Sequence, residues 1–439
     1  MVGTYAEAAR AVMERCDLLA TFSEEPGRVT RRFASSPMHQ VHETLQRWLR
    51  AAGMTCEIDA LGNLIGRREA GRAGKEAQAT TLVEQANGLS QSRSKTLLLG
   101  SHLDTVRDAG KYDGILGVMI ALICLERLRE RGESLPFAVE LLGFADEEGL
   151  RYQCVYMGSK AVTGQFDPRD LALLDANGIS MAEALRAFGC QPALEALTTP
   201  RWTREELLGY CEVHIEQGPV LEERGLPLAV VTSIVGQQRL LLHFSGVQGH
   251  AGTLPMALRH DALCAAAEFI LAAESLGRSV PGLVTTVGQV QVRPGASNVV
   301  PGYAELSLDL RHEDDDLRAR CAEQLVMQAE SICAERGVKL VCQPVQRAST
   351  VACAPVLRRR WEEALLAEGY PVFALPSGAG HDGATLSALT DISMLFVRCR
   401  GGISHNPAEA VQEEDVAAAI AVLERFLRLT AREVLHESI

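Results

Sequence analysis

Three apolar runs, each ending in side chains able to hold a metal or carry a proton, constrain this chain most. Thr96–Leu99 reads as a buried strand that stops at Gly100-Ser101. His102, Asp104 and Asp113 follow on a loop before a helix expected from Ile115 to about Arg131. Pro136–Phe144 runs into Ala145-Asp146-Glu147-Glu148-Gly149, and Leu207–Ile215 runs into Glu216-Gln217-Gly218 with His214 near its end. Open α/β sheets place their ligand sites beyond the carboxyl ends of such strands.

The rest of the chain fits around these runs. Residues 4–21 and 37–53 have the periodicity of amphipathic helices, and 56–67 reads as a hairpin turning at Gly62-Asn63. The polar stretch Glu69–Ser94, rich in Gly, Ala, Gln and Ser, reads as a surface loop or insertion. From about 235 the pattern changes to alternating, half-solvated strands. Strands near 238–244, 283–292, 303–311 and 338–346, with helices near 259–276 and 314–335, give the β-α-β-β-α-β order of a small ferredoxin-like domain. Afterwards α/β character resumes. A helix over about 355–368, short strands at 372–375 and Ile392–Val397, and a final helix from about 413 to 434 complete the chain. The expected architecture is a mixed central sheet flanked by helices, built from 1–234 and 349–439. The ferredoxin-like unit, 235–348, is inserted into it as a lid and dimerisation domain.

Composition narrows the function classes. At 439 residues two domains are expected, and a net charge of −13 disfavours a nucleic-acid surface. An anionic substrate would need a local arginine. The 12 cysteines form no CxxC pair, and Cys124, Cys264 and Cys321 fall in mostly apolar helical runs. They read as small buried thiols of a reducing compartment. With no run of about 18 apolar residues and no signal-type segment, a cytoplasmic protein away from membranes is expected.

Five strand-end positions offer ligand-type side chains: His102, Asp113, Glu148, His214 and His405. Any one alone would be an ordinary structural residue; their shared placement at strand ends is the signal. Three imidazoles and two carboxylates suit zinc or manganese, as one site or as two sites sharing a bridging aspartate, and nickel or cobalt tolerate the same donors. Glu147, beside a proposed ligand, is placed to act as general base, and Asp104 to orient His102 by accepting its other ring N–H. The loop Gly378–Gly383 looks superficially like a phosphate cradle but lacks the P-loop lysine.

Taken together, GSHLDTV…YDGILG, FADEEG, HIEQGPVLE, GHAGT, SNVVPG, SGAGHDG and ISHNPAE resemble the hydantoinase/carbamoylase branch of the dinuclear metallo-amidohydrolases. That branch includes allantoate amidohydrolase, N-carbamoyl-L-amino acid hydrolase and β-ureidopropionase, and is related to aminoacylase-type peptidases. The resemblance implies His102, Asp113 and His214 around one metal, and Glu148 and His405 around a second, with Asp113 bridging. It implies Glu147 as base and His250 as the histidine stabilising the tetrahedral oxyanion, carried on a lid that can reach a neighbouring subunit. Asn298 and Arg311 match residues that bind the substrate carboxylate, and Gln217 and His381 match further pocket residues. Asp146 and Arg151-Tyr152-Gln153-Cys154 depart from the family pattern, which bears on substrate choice.

The expected activity is hydrolysis of the carbamoyl C–N bond of a small ureido acid by a homodimer with two divalent ions per subunit. Allantoate leads, followed by N-carbamoyl-L-amino acids and N-carbamoyl-β-alanine. An N-acyl amino acid deacylase or aminopeptidase with the same metal core is the alternative, against which the Gln217 and His381 motifs argue. A non-catalytic dimeric metal-binding protein is the other, against which the intact Glu147 argues.

Overall fold

The computed structural model describes residues 3–71 and 94–437; most of the polar stretch read above as a loop or insertion lies outside them. The chain divides into two compact units. The first comprises 1–232, 353–375 and 381–439; the second comprises 233–352 and 376–380.

In the first unit four strands run parallel, in the spatial order Ala138–Phe144, Thr96–His102, Leu207–Ile215, Ile392–Val397. Every residue of Thr96–His102, Ala138–Phe144 and Ile392–Val397 is buried, as expected for strands covered on both faces. The hairpin Thr55–Ile58/Leu64–Arg68 extends one side antiparallel to Ala138–Phe144. On the other side Leu228–Ile234 pairs antiparallel with Ile392–Val397. That last strand is missing from the sequence reading, although its Leu-Ala-Val-Val run carried the signal.

The helix Ile115–Glu130 is apolar almost all round and is buried along most of its length. It packs against the strands at 96–102 and 207–215 on one side and the helices Tyr5–Ala20 and Glu413–Glu437 on the other, which is why it shows no polar face. Thr4 and Glu7 form a capping box that starts Tyr5–Ala20, and Ser35 caps Ser36–Ala51. Both helices begin within a residue of where the sequence places them.

The second unit has its own core, in which Leu240, Leu242, Phe244, Leu306, Leu308 and Leu310 face Phe269 and Leu325. The last two lie on the helices Ala262–Ser279 and Asp315–Arg336. Its sheet runs Val290–Arg293, Tyr303–His312, Gly236–Ser245, Lys339–Ala348, with every neighbour antiparallel. The single strand expected at 283–292 is two pieces, Val284–Thr286 and Val290–Arg293, both pairing with Tyr303–His312. The break falls around Gly288, and the Gln289 N–H turns to the Ser307 hydroxyl at 3.0 Å instead of continuing the ladder. A second correction concerns Cys264, which is exposed rather than buried. It lies in the first turn of its helix, whose first N–H groups bond Asp261, and the apolar stripe passes through Ala262, Ala265 and Ala266 instead. All 12 cysteines are free. No helix among the described residues is long and apolar enough to cross a membrane.

Candidate metal centre

Parallel strands put their carboxyl ends on one edge, so the residues that end them become neighbours in space. His102 closes its strand opposite Phe144, and His214 lies opposite Phe396. The strand runs through His102 itself, one residue beyond the expected Gly100-Ser101 stop. Asp113 follows on the loop that leads into the helix at Ile115. Gly114 makes this possible: its φ is +69°, and a Cβ there would lie 2.6 Å from the His102 ring.

Asp113 is the centre of the arrangement. Its carboxylate oxygens lie 3.6 Å from His102 Nε2, 3.2 Å from His214 Nε2 and 3.1 Å from His405 Nε2. His405 Nε2 is also 3.3 Å from Glu148 Oε1. Two overlapping donor sets result, His102–Asp113–His214 and Asp113–Glu148–His405, each with its ligand atoms within 4.8 Å of one another. Glu147 joins a third set with His102 and Glu148. Asp146, Gln217 and His405 all have φ between +54° and +57°. Left-handed backbone at non-glycine residues is strained and gathers at functional sites.

The ring orientations are fixed from behind. His102 Nδ1 lies 3.0 Å from the backbone carbonyl of Asp104, and His214 Nδ1 lies 2.9 Å from that of Ile215. This corrects the role expected for Asp104, whose carboxylate is 3.7 Å from the His102 ring. That carboxylate instead accepts the backbone N–H groups of Glu147, at 3.0 Å, and Glu148, at 3.1 Å. Asp104 therefore grips the Glu147-Glu148 turn with its side chain and His102 with its main chain.

The other candidates separate into two groups. Gln217 donates to Asp113 Oδ2 at 3.1 Å and to the Ser404 hydroxyl at 3.2 Å. His381 is buried with its ring edge-on to His214, the centroids 4.6 Å apart. His250, Asn298 and Arg311 belong to the second unit. There His250 is exposed, pairs with Val299 across a short antiparallel bridge, and accepts the Gly252 N–H at 3.0 Å. Asn298 is exposed beside it, its carbonyl accepting the Ala251 N–H. Arg311 is held by both oxygens of Asp309 at 3.1 Å and lines a cavity of about 940 Å³ within that unit.

Some of the polar framework was not read from the sequence. Tyr210, Glu212 and His214 alternate along one strand and so share a face. Glu212 accepts the Ser101 hydroxyl at 2.7 Å and the Tyr210 hydroxyl at 2.9 Å. An acid inside the run LLGYCEVHI was the available signal. Asp382, fully buried, takes the Ser159 hydroxyl at 2.5 Å, and burial pushes it up to about 8. Glu409, buried beside Asp113, is pushed up to about 7 by burial and then by that neighbouring charge.

The electrostatics fit a pair of divalent cations. Burial would raise Asp113, but hydrogen bonds from His102, His214 and His405 hold it well below the usual carboxylate range. Burial lifts Glu147 well above it, with Glu148, Asp382 and Asp104 adding and His102 opposing. Burial also raises Asp146 strongly; it is fully enclosed. Imidazole nitrogens and carboxylate oxygens so crowded with acids are what zinc- or manganese-type ions bind.

Cation uptake should therefore release protons. Hydrogen bonds to Asp113 and Glu148 raise His405 to about 10, and the same aspartate holds His102 well above its ordinary value against burial. Both rings are thus shifted toward the protonated form without a cation, and a ring must give up that proton to become a ligand. Affinity should weaken by about tenfold per pH unit for each proton displaced as pH falls below neutrality. Calorimetry in buffers of different ionisation enthalpy checks this; zero net release at pH 7 would contradict it.

The profile of peptidase family M20/M25/M40 matches residues 98–429. This chain belongs to that family. It is 38% identical to the N-carbamoyl-L-amino acid amidohydrolase of Geobacillus stearothermophilus, over 90% of this chain and 92% of that protein. It is 36% identical to the probable allantoate deiminase of Oryza sativa subsp. japonica, over 97% of this chain and 89% of that one. A crystal structure of a hydantoinase/carbamoylase-family amidase from Burkholderia multivorans superposes with a TM-score of 0.85 at 30% identity, covering 96% of this chain and 98% of that one. Its relatives thus carry amidohydrolase, deiminase and amidase names.

Proposed function

We propose that this chain hydrolyses the carbamoyl C–N bond of a small ureido acid, with two divalent cations held by His102, Asp113, Glu148, His214 and His405. The observation that carries the reading is the placement of Asp113 among three imidazoles, with the Glu147-Glu148 pair alongside. Divalent cations supply Lewis acidity there, making a water more acidic and polarising the ureido carbonyl.

The chain's own residues do the rest. Glu147 takes the proton of the attacking water on its carboxylate and delivers it to the departing nitrogen. His250 is assigned to the oxyanion that develops on the carbamoyl oxygen. Gln217 and His381 are assigned to the ureido end of the substrate, Asn298 and Arg311 to its carboxylate. The products are ammonia, carbon dioxide and the amine, which for allantoate is ureidoglycine. Names of relatives support both allantoate and N-carbamoyl-L-amino acids as substrates; we place allantoate first. The second unit is read as a ferredoxin-like lid that also joins two chains, and sedimentation as a monomer at micromolar concentration would count against that.

The deciding experiment measures ammonia release from allantoate, N-carbamoyl-β-alanine and several N-carbamoyl-L-amino acids, with protein reconstituted in Mn²⁺ or Zn²⁺. Release from none of them, alongside turnover of an N-acetyl amino acid, would move the assignment to a deacylase. Arg311→Ala should raise KM roughly 10- to 150-fold, the worth of a hydrogen bond to a charged group, with a far smaller change in kcat. An unchanged KM would remove Arg311 from carboxylate recognition.

A further inference from the structure

The motif ISHNPAE contains one acid to which the proposed chemistry gives no task. Glu409 is 4% exposed, and one of its oxygens accepts the backbone N–H groups of Tyr112, at 2.8 Å, and Asp113, at 3.1 Å. The other lies 3.2 Å from the Ser404 hydroxyl, which is itself 3.2 Å from Asp113 Oδ2. One side chain thus ties the loop that carries Asp113 to the loop that carries His405.

The opposite loop is shaped to admit it. A Cβ at Gly110 would stand 2.2 Å from the carboxyl carbon of Glu409, so any larger residue there would expel the acid. The two histidines at strand ends need no such tie, because their rings already rest on main-chain carbonyls. His405 differs: its side chain is 48% exposed, and its loop reaches Asp113 through Ser404 and Glu409.

We propose that Glu409 is a positioning residue that fixes His405 against Asp113, so that the Asp113–Glu148–His405 donor set keeps its cation. The inference rests on the two-cation reading above. A buried acid that accepts two N–H groups and a hydroxyl fixes geometry through all three at once.

Cobalt binding tests it, read as equivalents retained after gel filtration and as the visible spectrum of the bound ion. Wild type should hold two equivalents. Glu409→Ala should hold one as tightly and the other 10- to 100-fold more weakly, the range for losing a residue that orients a ligand. Glu409→Gln should stay close to wild type, because its amide oxygen can accept both N–H groups while its NH₂ donates to Ser404 Oγ. Gly110→Ala should resemble Glu409→Ala. Ser404→Ala leaves the main-chain N–H groups of Tyr112 and Asp113 paired with Glu409 and should weaken the same equivalent in a chain that still folds.

Failures are separable. Wild type binding no cobalt would overturn the two-cation reading, and this inference with it. Wild type binding two, with Glu409→Ala binding both equally well, would overturn the role of Glu409 alone. Glu409→Gln as weak as Glu409→Ala would do the same, since charge and not the tie would then matter. If Glu409→Ala does not fold, two undisturbed equivalents in Ser404→Ala overturn it.

Discussion

Glu147→Gln should keep both cations and bind substrate with little change in KM, yet turn over about 10²- to 10⁴-fold more slowly than wild type. The amide matches the carboxylate in size and still accepts hydrogen bonds, but it cannot take a proton at neutral pH. Its main-chain anchor, the hydrogen bond to Asp104, does not depend on the side chain and is retained. The site around it explains why this acid is suited to the task. Burial raises its pKa, Glu148, Asp382 and Asp104 press in the same direction, and His102 alone among these neighbours opposes them. A carboxylate so placed accepts a proton more readily than one in water. Steady-state ammonia release together with metal analysis of the same preparation checks the prediction. Turnover within tenfold of wild type at full cation content would remove Glu147 from proton transfer.

What the sequence made legible follows from what each signal depends on. Strand ends announce themselves because apolar runs terminate sharply, so His102, His214 and the Glu147-Glu148 pair could be placed from residue pattern alone. Parallel pairing of those strands then puts their ends on one edge. Asp104 shows the boundary of that reasoning. Its neighbourhood was evident, but whether its carboxylate or its carbonyl meets the His102 ring depends on backbone path, and the carbonyl does. Cys264 fails for a similar reason: an apolar run does not say which of its residues turns outward in the first helical turn. The strand expected at 283–292 breaks where its two pieces pair with Tyr303–His312 in registers one residue apart, a long-range pairing that no local pattern encodes. Glu212 was visible as an acid inside an otherwise apolar run and Glu409 as the acid closing ISHNPAE, but Ser101 and Tyr112, which they hold, lie more than a hundred residues away.

Asp113→Ala is the other large effect, and it differs from Glu147→Gln in kind. One carboxylate lies within 3.6 Å of three imidazoles, so its removal dismantles both donor sets together. Neither cation should survive gel filtration, and turnover should fall at least about a thousandfold, since the charge stabilisation lost is worth several kcal/mol. The cation-free protein gives a second readout. His405 is raised to about 10, first by its hydrogen bond to Asp113 and then by Glu148. A histidine raised on folding contributes stability that is fully present below its unfolded value, near 6.5, and is lost as pH climbs through its folded value. Cation-free wild type should therefore lose this contribution between pH 6.5 and about 10, as thermal melting in chelator would record. In Asp113→Ala the His405 titration, followed by NMR of the ring protons, should move down toward the ordinary histidine range, and the alkaline loss of melting temperature should shrink with it. A His405 pKa that stays near 10 without Asp113 would mean that Glu148 alone holds that ring, and Asp113 would no longer be the carboxylate the two cations share.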